Sequence, residues 1–329
     1  MGTRRRAPSQ NLPVEKRLAQ QIMDLVTEEM IRTIWLTHRL GDARQIVRAM
    51  SGVSNHCFIV DDTRVIRFNT IDTTVPKFDN ERVAYELLAG HGYPVPAVIV
   101  LDTSRRHAPY EYIILTRLPG TNLAESWRTL PPARIRDLAG ETGRALARLH
   151  LLTFPAFGKL REQAAPRFRT WSAYFDDYAR RQIDAAAHYG LLDDEHRSRL
   201  EGALHRARGL LARIGQGVLV HSDFHYENIL HDDGRVFGIL DFEWALSGDP
   251  SYDFMVAEER ERQVPGSEAA FVEGYRSIRP LDAEHDQRTA LYRLFLGLET
   301  AVMHAHRTNT QAAQSVLVET MILLGTIET

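Results

Sequence analysis

The stretch VHSDFHYENILHDDGRVFGILDFEW, residues 220–244, decides how this chain is read. An apolar run ends at Val220, and His221, Asp223, His225, Glu227 and Asn228 then fall within eight positions before Ile229 and Leu230 return to apolar. From Asn228 to Asp241 the spacing is that of strand, turn and strand, with HDDG (231–234) as the turn. A hairpin of that kind brings the 223–228 loop beside Asp241. Asn228 and Asp241 then offer the oxygen ligands that a hard divalent cation such as Mg²⁺ takes together with phosphate oxygens. Asp223 is left beside them as a base or orienter for an attacking hydroxyl.

Upstream of this stretch the apolar period changes twice. Residues 14–26 and 28–40 repeat at helical spacing, with Gly41 at the exit. RQIVRAMSG, NHCFIVDD and TRVIRFNT are short, β-branched and broken by GVSN and DDT, the signals of a meander. KFDNERVAYELLAGHG reads as a helix leaving at Gly90 and Gly92, and PAVIVLDTS and YEYIILTRL as two more strands. After LPGTNL the chain turns helical. Pro131-Pro132 opens a long helix with a stripe through Ile135, Leu138, Leu146 and Leu149, and further helices follow at 170–190 and 193–215 and again from about Ser251. The expected fold is α+β. A five-stranded antiparallel lobe with one inserted helix (13–118) follows a disordered tail (1–12) and joins a larger, mainly helical lobe (119–329), with a ligand cleft between them.

Composition narrows the classes. Hydrophobic residues make up 44% and charged residues 25%, as in an ordinary globular protein. A net charge of −3 gives no bulk electrostatic reason to bind nucleic acid. Cys57 stands alone, which excludes an intrachain disulfide framework or a cysteine zinc site. The three arginines at positions 4–6 are followed by no apolar core of a secretory signal, and no stretch is apolar enough to cross a bilayer. A cytoplasmic protein with no membrane partner is expected. The sequence carries no signal of oligomeric state.

The spacing H-x-D-x-x-x-x-N at His221, Asp223 and Asn228, followed by I-L-D-x-E at Asp241 and Glu243, resembles the aminoglycoside phosphotransferase family of small-molecule kinases, which have a protein-kinase-like fold. The resemblance extends to SGVSN and VIRF in the first lobe, ALARLH before the loop, and SGDPSYDF after it. It implies an enzyme that uses ATP (or GTP) and Mg²⁺ to phosphorylate a hydroxyl of a small molecule. In this light Asp223 is the catalytic base, and His225 faces the transferring phosphoryl group where protein kinases carry a lysine. Asn228 and Asp241 hold the metal, and His221 braces the loop. Asp249 and Asp253 are structural acids. The turn around Gly52 and Asn55 covers the phosphates with backbone N–H groups. Glu81 pairs with the third-strand cation, Arg67. The segment from Leu115 through Thr116 to Leu118 reads adenine through its backbone.

Two positions depart from the family pattern. Arg67 stands where lysine is usual and presents a planar fork rather than a point charge. Ser222 makes the loop H-S-D rather than H-G-D. A protein-kinase reading fails on Glu243, which follows Asp241-Phe242 in place of glycine, and on the missing activation segment. Two readings from other classes compete: a metal-dependent hydrolase with His221, Asp223, His225 and Asp241 as ligands, and a nucleotide-binding pseudoenzyme. Blander readings stand beside the sharper ones. His150 ends an apolar helix as a hydrogen-bonded core histidine. The acidic runs at Asp176, Asp177, Asp193, Asp194, Glu258 and Glu259, each near arginine or histidine, are solvated helix faces rather than a wall for a cationic acceptor. Trp171, Tyr174 and Trp244 either stack on a substrate ring or fill the core. The acceptor stays open between an antibiotic and a metabolite of the choline, homoserine or methylthioribose kind.

Overall fold

A computed structural model describes residues 25–49, 55–70, 73, 75–127, 129–232, 234–256, 261–262 and 265–328. The N-terminal tail, most of the helix expected at 14–26, the turn carrying Gly52, and Glu258 and Glu259 lie outside the described residues. The chain divides into two compact units, one formed by residues up to 78 together with 96–117, the other by 79–95 and 118 onward.

In the first unit, helix α1 (Glu28–Thr37) starts where Thr27 accepts the N–H of Met30 at 3.1 Å, and Glu28 and Glu29 meet the positive end of the helix dipole. Its buried face, Ile31, Ile34 and Trp35, packs on a sheet. That sheet holds β1 (Ile46–Arg48), β2 (His56–Val60), β3 (Arg64–Phe68), β4 (Val98–Asp102) and β5 (Tyr112–Thr116) in the order β1-β2-β3-β5-β4, with every pair antiparallel. Phe58, Val60, Ile66, Phe68, Tyr112 and Ile114 form its core with the helix. Asp61 and Asp62 both adopt positive φ, and the N–H of Thr63 reaches the carbonyl of Val60 at 3.2 Å. This is the tight mirror-image turn whose twist suits a hairpin, at residues that tolerate the left-handed region.

The inserted helix α2 (Phe78–Gly90) was expected within a 13–118 lobe; from Asp79 onward it groups with the second unit. Helices α3 (Leu123–Ser126) and α4 (Pro132–Leu149) follow the short strand β6 (Thr121–Asn122). Strands β7 (Thr153–Phe154) and β8 (Gly158–Lys159) precede α5 (Trp171–His188) and α6 (Asp194–Leu211). Next come β9 (Gly217–Val220), β10 (Ile229–Asp232), β11 (Arg235–Ile239) and β12 (Leu246–Gly248), then α7 (Ser267–Arg276), α8 (His285–His306) and α9 (Thr310–Glu328). The strands form two small sheets, β11-β10-β6 and β7-β9-β12-β8.

The core of this unit gathers Trp171, Phe175, Leu200, Leu294, Phe295, Leu298 and Leu324 from α5, α6, α8 and α9. Trp171 is fully buried, its Nε1–H donating to the Tyr292 hydroxyl at 2.7 Å. Burial of an aromatic that size contributes about 4–6 kcal/mol before conformational entropy is set against it. Helices α4 and α7 cross at glycines. A Cβ on Gly143 would lie 2.0 Å from the Phe271 carbonyl oxygen, and one on Gly274 would lie 2.0 Å from that of Gly140. Only a missing side chain permits that approach.

Candidate active site

The chain enters the candidate site along β9. All four of its residues are buried because it runs between β7 and β12, with Val220 opposite Leu246 and Leu219 opposite Ser247. The polar cluster that follows alternates in burial. Phe224 and Tyr226 are inserted into the core, whereas Asp223 keeps about 40% of its side chain accessible and His225 about 20%. The two aromatics hold the loop down so that the acid and the base face outward.

Backbone and histidine contacts hold the loop in place. Asp253, itself buried, accepts the N–H of His221 at 2.8 Å and that of Ser222 at 2.6 Å. His150 Nε2 donates to the same carboxylate at 2.9 Å, and its Nδ1 lies 2.7 Å from the Tyr275 hydroxyl, so this histidine is a hydrogen-bonded core residue. His221 Nε2 donates to the Leu240 carbonyl at 2.8 Å, while its Nδ1 faces the N–H of Asp223 at 3.3 Å. Both ring nitrogens are thereby engaged and neither is left for a metal. Ser222 has φ 74°, a left-handed conformation that only glycine adopts without strain.

The hairpin of β10 and β11 pairs Ile229 with Ile239, and the N–H of Leu240 reaches the carbonyl of Asn228 at 2.8 Å. Asp241 therefore follows directly on a residue tied both to Asn228 and to His221. Asn228 Nδ2 donates to the Asp223 carbonyl at 3.0 Å and to its carboxylate at 3.3 Å. Its amide oxygen is thus turned away from that pair. Asp241 takes a left-handed conformation, φ 65° and ψ 58°. Its N–H donates to the Tyr85 hydroxyl at 3.1 Å, and that hydroxyl donates to Glu81 at 2.8 Å. Asn80 Nδ2 reaches the carbonyl oxygens of Glu243 at 3.2 Å and Ala245 at 2.8 Å. Helix α2 is thus fastened to the segment bearing Asp241.

Charge is unevenly distributed in the loop. Burial pushes the Asp223 carboxyl up, but the hydrogen bond and charge of His225, with His221 and Asn228, outweigh it and hold the group below its ordinary value. Burial lowers His225, yet Asp223 at 3.4 Å, with Glu227 and Asp241, raises it on balance. The Nδ1 of His225 is buried with no hydrogen-bond partner among the described residues. Beyond the hairpin, Lys159 Nζ donates to the Trp244 carbonyl at 2.8 Å and lies 5.0 Å from the centre of its ring; burial lowers its pKa to about 8 despite Glu299.

Other expected site residues divide between the units. In the first, Asn55 is buried just before β2, and Arg67 is buried on β3 with its guanidinium 5.4 Å from the Phe78 ring centre. The N–H of Thr116 donates to Ala97 at 2.9 Å and that of Arg117 to Thr63 at 2.8 Å, so these two backbone donors are engaged within the unit. In the second, Glu81 is fully buried and Leu118 follows the unit boundary. Asp249 caps the turn at 250–254 and accepts from Arg288 and Tyr292, both at 2.6 Å. Asp176 pairs with Arg180 and Arg208, Asp177 pairs with Arg167 and Arg181, and Asp193 caps α6. Trp171 and Tyr174 stack at 5.1 Å within the core. Sequence reasoning passed over Asn80, Tyr85 and Lys159. Tyr85 and Glu81, at i and i+4 on one helix face, carried a signal; Asn80 and Lys159 carried none.

Comparison with known proteins gives a consistent family. Residues 45–291 match the phosphotransferase enzyme family. Among curated relatives, the hygromycin-B 4-O-kinase of Escherichia coli is 27% identical over 186 residues, 56% of this chain and 52% of that protein. A homoserine kinase of Neisseria meningitidis serogroup B is 26% identical over 151 residues, 44% of this chain and 45% of that one. The chain thus spans about half the length of these relatives. Solved structures match almost end to end. The gentamicin complex of APH(2")-IIa superposes with TM-score 0.68 at 17% identity over 91% of this chain and 96% of that one. Aminoglycoside phosphotransferase APH(4)-Ia does so with TM-score 0.67 at 20% identity over 91% and 98%. The fold is therefore the α+β, protein-kinase-like fold of those enzymes.

Proposed function

The chain belongs to the phosphotransferase enzyme family, and from that premise we propose that it transfers the terminal phosphoryl group of ATP to a hydroxyl of a small molecule. The observation that carries this reading is an accessible Asp223 carboxylate, held ionised by its neighbours, on a loop whose Asn228 is tied to Leu240, the residue before Asp241. The donor set fits a hard cation. One carboxylate and one amide oxygen suit Mg²⁺, which completes its shell with water and phosphate oxygens. Among the described residues no three His, Cys, Asp or Glu side chains gather as a site for a transition metal. With both His221 nitrogens engaged, the hydrolase alternative loses a ligand.

In this mechanism Asp223 accepts a hydrogen bond from the acceptor hydroxyl and aims its oxygen at the phosphorus. A carboxylate held below its ordinary value is a weak base, so the proton moves to it late, as the new P–O bond forms and the bond from phosphorus to the ADP oxygen breaks, releasing ADP. His225, when protonated, places a positive charge 3.4 Å from Asp223 and so offsets charge on the transferring oxygens. Asn228 and Asp241 would hold Mg²⁺, which when bound would neutralise charge on the terminal phosphates. Arg67, Glu81, Asn55 and Gly52 are proposed to serve the nucleotide phosphates, as the family pattern implies. The adenine contact is proposed for backbone groups of Thr116 and Leu118, other than the Thr116 N–H, which is engaged by Ala97.

The acceptor class follows from the relatives only in outline: a hydroxylated antibiotic, as named for the hygromycin-B kinase, or a metabolite, as named for the homoserine kinases. Asp176 and Asp177 are paired with arginines and build no wall for a polycation. A panel of aminoglycosides, hygromycin B, choline, homoserine and methylthioribose with Mg-ATP, read by the mass gain of one phosphoryl group, tests the proposal. Transfer to one acceptor that is lost in Asp223→Ala supports it. ATP binding without transfer to any acceptor would favour the pseudoenzyme instead.

A further inference from the structure

Within the second unit, a cavity of about 360 Å³ opens where the exit of α2, the last turn of α4 and strand β11 meet. Its volume lies in the range of small-molecule sites. Leu88, Val95, Leu149 and Phe237 contribute apolar surface. The loop that forms one wall is rigidly built. Gly92, at φ 76°, ends α2 with its N–H on Ala89, and the N–H of Tyr93 returns to Leu88, each at 3.0 Å. The Tyr93 hydroxyl then donates to the Arg148 carbonyl at 2.8 Å and joins that loop to α4.

The charge on this cavity is one-sided. Arg148 and His91 line it, and no lining residue is acidic. The Arg148 guanidinium has no ion pair among the described residues, and His91 Nδ1 donates to Leu87 at 2.9 Å, which leaves Nε2 to donate to an anion when the ring is protonated. An apolar body ending in an anion matches this lining; a cation or a sugar does not. Phe242, the residue after Asp241, also lines the cavity. Its ring lies 4.5 Å from that of His221 and 5.8 Å from that of Tyr85. Ile239, also in the lining, precedes the Leu240 carbonyl that holds His221. An occupant therefore presses on the residues that set both His221 and Asp241.

We propose that this cavity is a regulatory site for an amphipathic monocarboxylate, whose carboxylate meets Arg148 and His91 and whose apolar body rests against Phe242. Its regulatory effect rests on the phosphotransferase reading above; its binding does not.

The test uses the full chain and decanoate below its micelle concentration, with decanol and decylamine as controls, read by calorimetry. Expected are saturable binding of one decanoate per chain and at least fivefold weaker binding in Arg148→Gln. Val236→Trp, which fills the cavity from a half-exposed strand position, should abolish binding while the unfolding temperature stays close to wild type. Absence of saturable binding, binding untouched by both substitutions, or equal affinity for decanol would overturn the site. In a second arm the affinity for Mg-ADP is measured with and without saturating decanoate. A threefold or larger change that vanishes in Val236→Trp supports the coupling to Phe242. Binding with an unchanged Mg-ADP affinity would overturn the regulatory role. Neither arm needs an acceptor, so a failure here is separable from failure to find phosphoryl transfer.

Discussion

Asp253→Asn is the substitution whose effect can be worked most fully. In the wild type, Oδ2 accepts from the His221 N–H and from His150, and Oδ1 accepts from the Ser222 N–H at 2.6 Å, all with the carboxyl buried. Asparagine keeps one carbonyl oxygen. Placed at the Oδ2 position, it preserves two of these bonds at roughly half their charge-assisted strength. Its NH₂ then faces the Ser222 N–H, donor against donor, and that amide loses its partner. A lost bond to a charged group is worth about 1.5–3 kcal/mol and an orphaned buried donor costs about 1–3 kcal/mol, so the loss comes to about 4 kcal/mol. That is a large part of a typical stability of about 5–15 kcal/mol. Ser222 already sits in a left-handed conformation that costs about 1–2 kcal/mol. Once released it relaxes, and a shift near 1 Å in the adjacent Asp223 lowers turnover by about 10²-fold. The assay is urea unfolding together with steady-state transfer for Asp253→Asn, Ser222→Gly and the double variant. Glycine removes the strain where the loop is held, so Ser222→Gly should stabilise the wild-type background by about 1 kcal/mol and the relaxed Asp253→Asn background by less. Stability and turnover within twofold of wild type for Asp253→Asn would refute the claim that this carboxylate holds the loop.

Four further outcomes are expected. Asp223→Asn lowers turnover by about 10²-fold or more while Mg-ADP affinity, measured by calorimetry, stays near wild type; unchanged turnover removes Asp223 from the chemistry. Tyr85→Phe deletes the hydroxyl between Glu81 and the Asp241 N–H, and the Mg²⁺ concentration for half-maximal activity should rise about tenfold; an equal loss at saturating Mg²⁺ would argue for a different role. His225 is raised above its ordinary 6.5 by Asp223. Its contribution to stability is therefore complete below about pH 6.5 and lost as pH rises through the higher folded value. The difference in urea midpoint between wild type and His225→Gln should shrink from pH 6 to about pH 9, and a flat difference would discount the pair. Gly143→Ala places a methyl group 2.0 Å from the Phe271 carbonyl oxygen and should destabilise by about 3 kcal/mol, seen in thermal unfolding; Gly90→Ala, with nothing within 4 Å, serves as the control.

The five-stranded antiparallel sheet, its inserted helix and the hairpin from Ile229 to Ile239 were legible because each has a local signature: alternation, a two-aspartate turn, or a helical stripe. The tie from Asn228 to Leu240, the neighbour of Asp241, was legible for the same reason, since one short hairpin connects them. Strand β9 was visible as an apolar run, but its partners were not. It pairs with β7 and β12, two- and three-residue strands too short to show a period. The inserted helix read correctly as a helix, yet its attachment to the Asp241 segment depends on Asn80 reaching residues more than a hundred and fifty positions away.

Residue types and their spacing along the chain were enough to establish the family pattern, the five strands of the first unit and the acids and amides available for chemistry. Those properties follow from local periodicity and from ligands that are near neighbours in sequence. Folding alone established that His150, Tyr275 and Asp253 form one buried network under the loop, that Ser222 is strained, and that Asp176 and Asp177 are tied to arginines. Such contacts join groups far apart in sequence, and their strength comes from a dry interior that no linear pattern encodes.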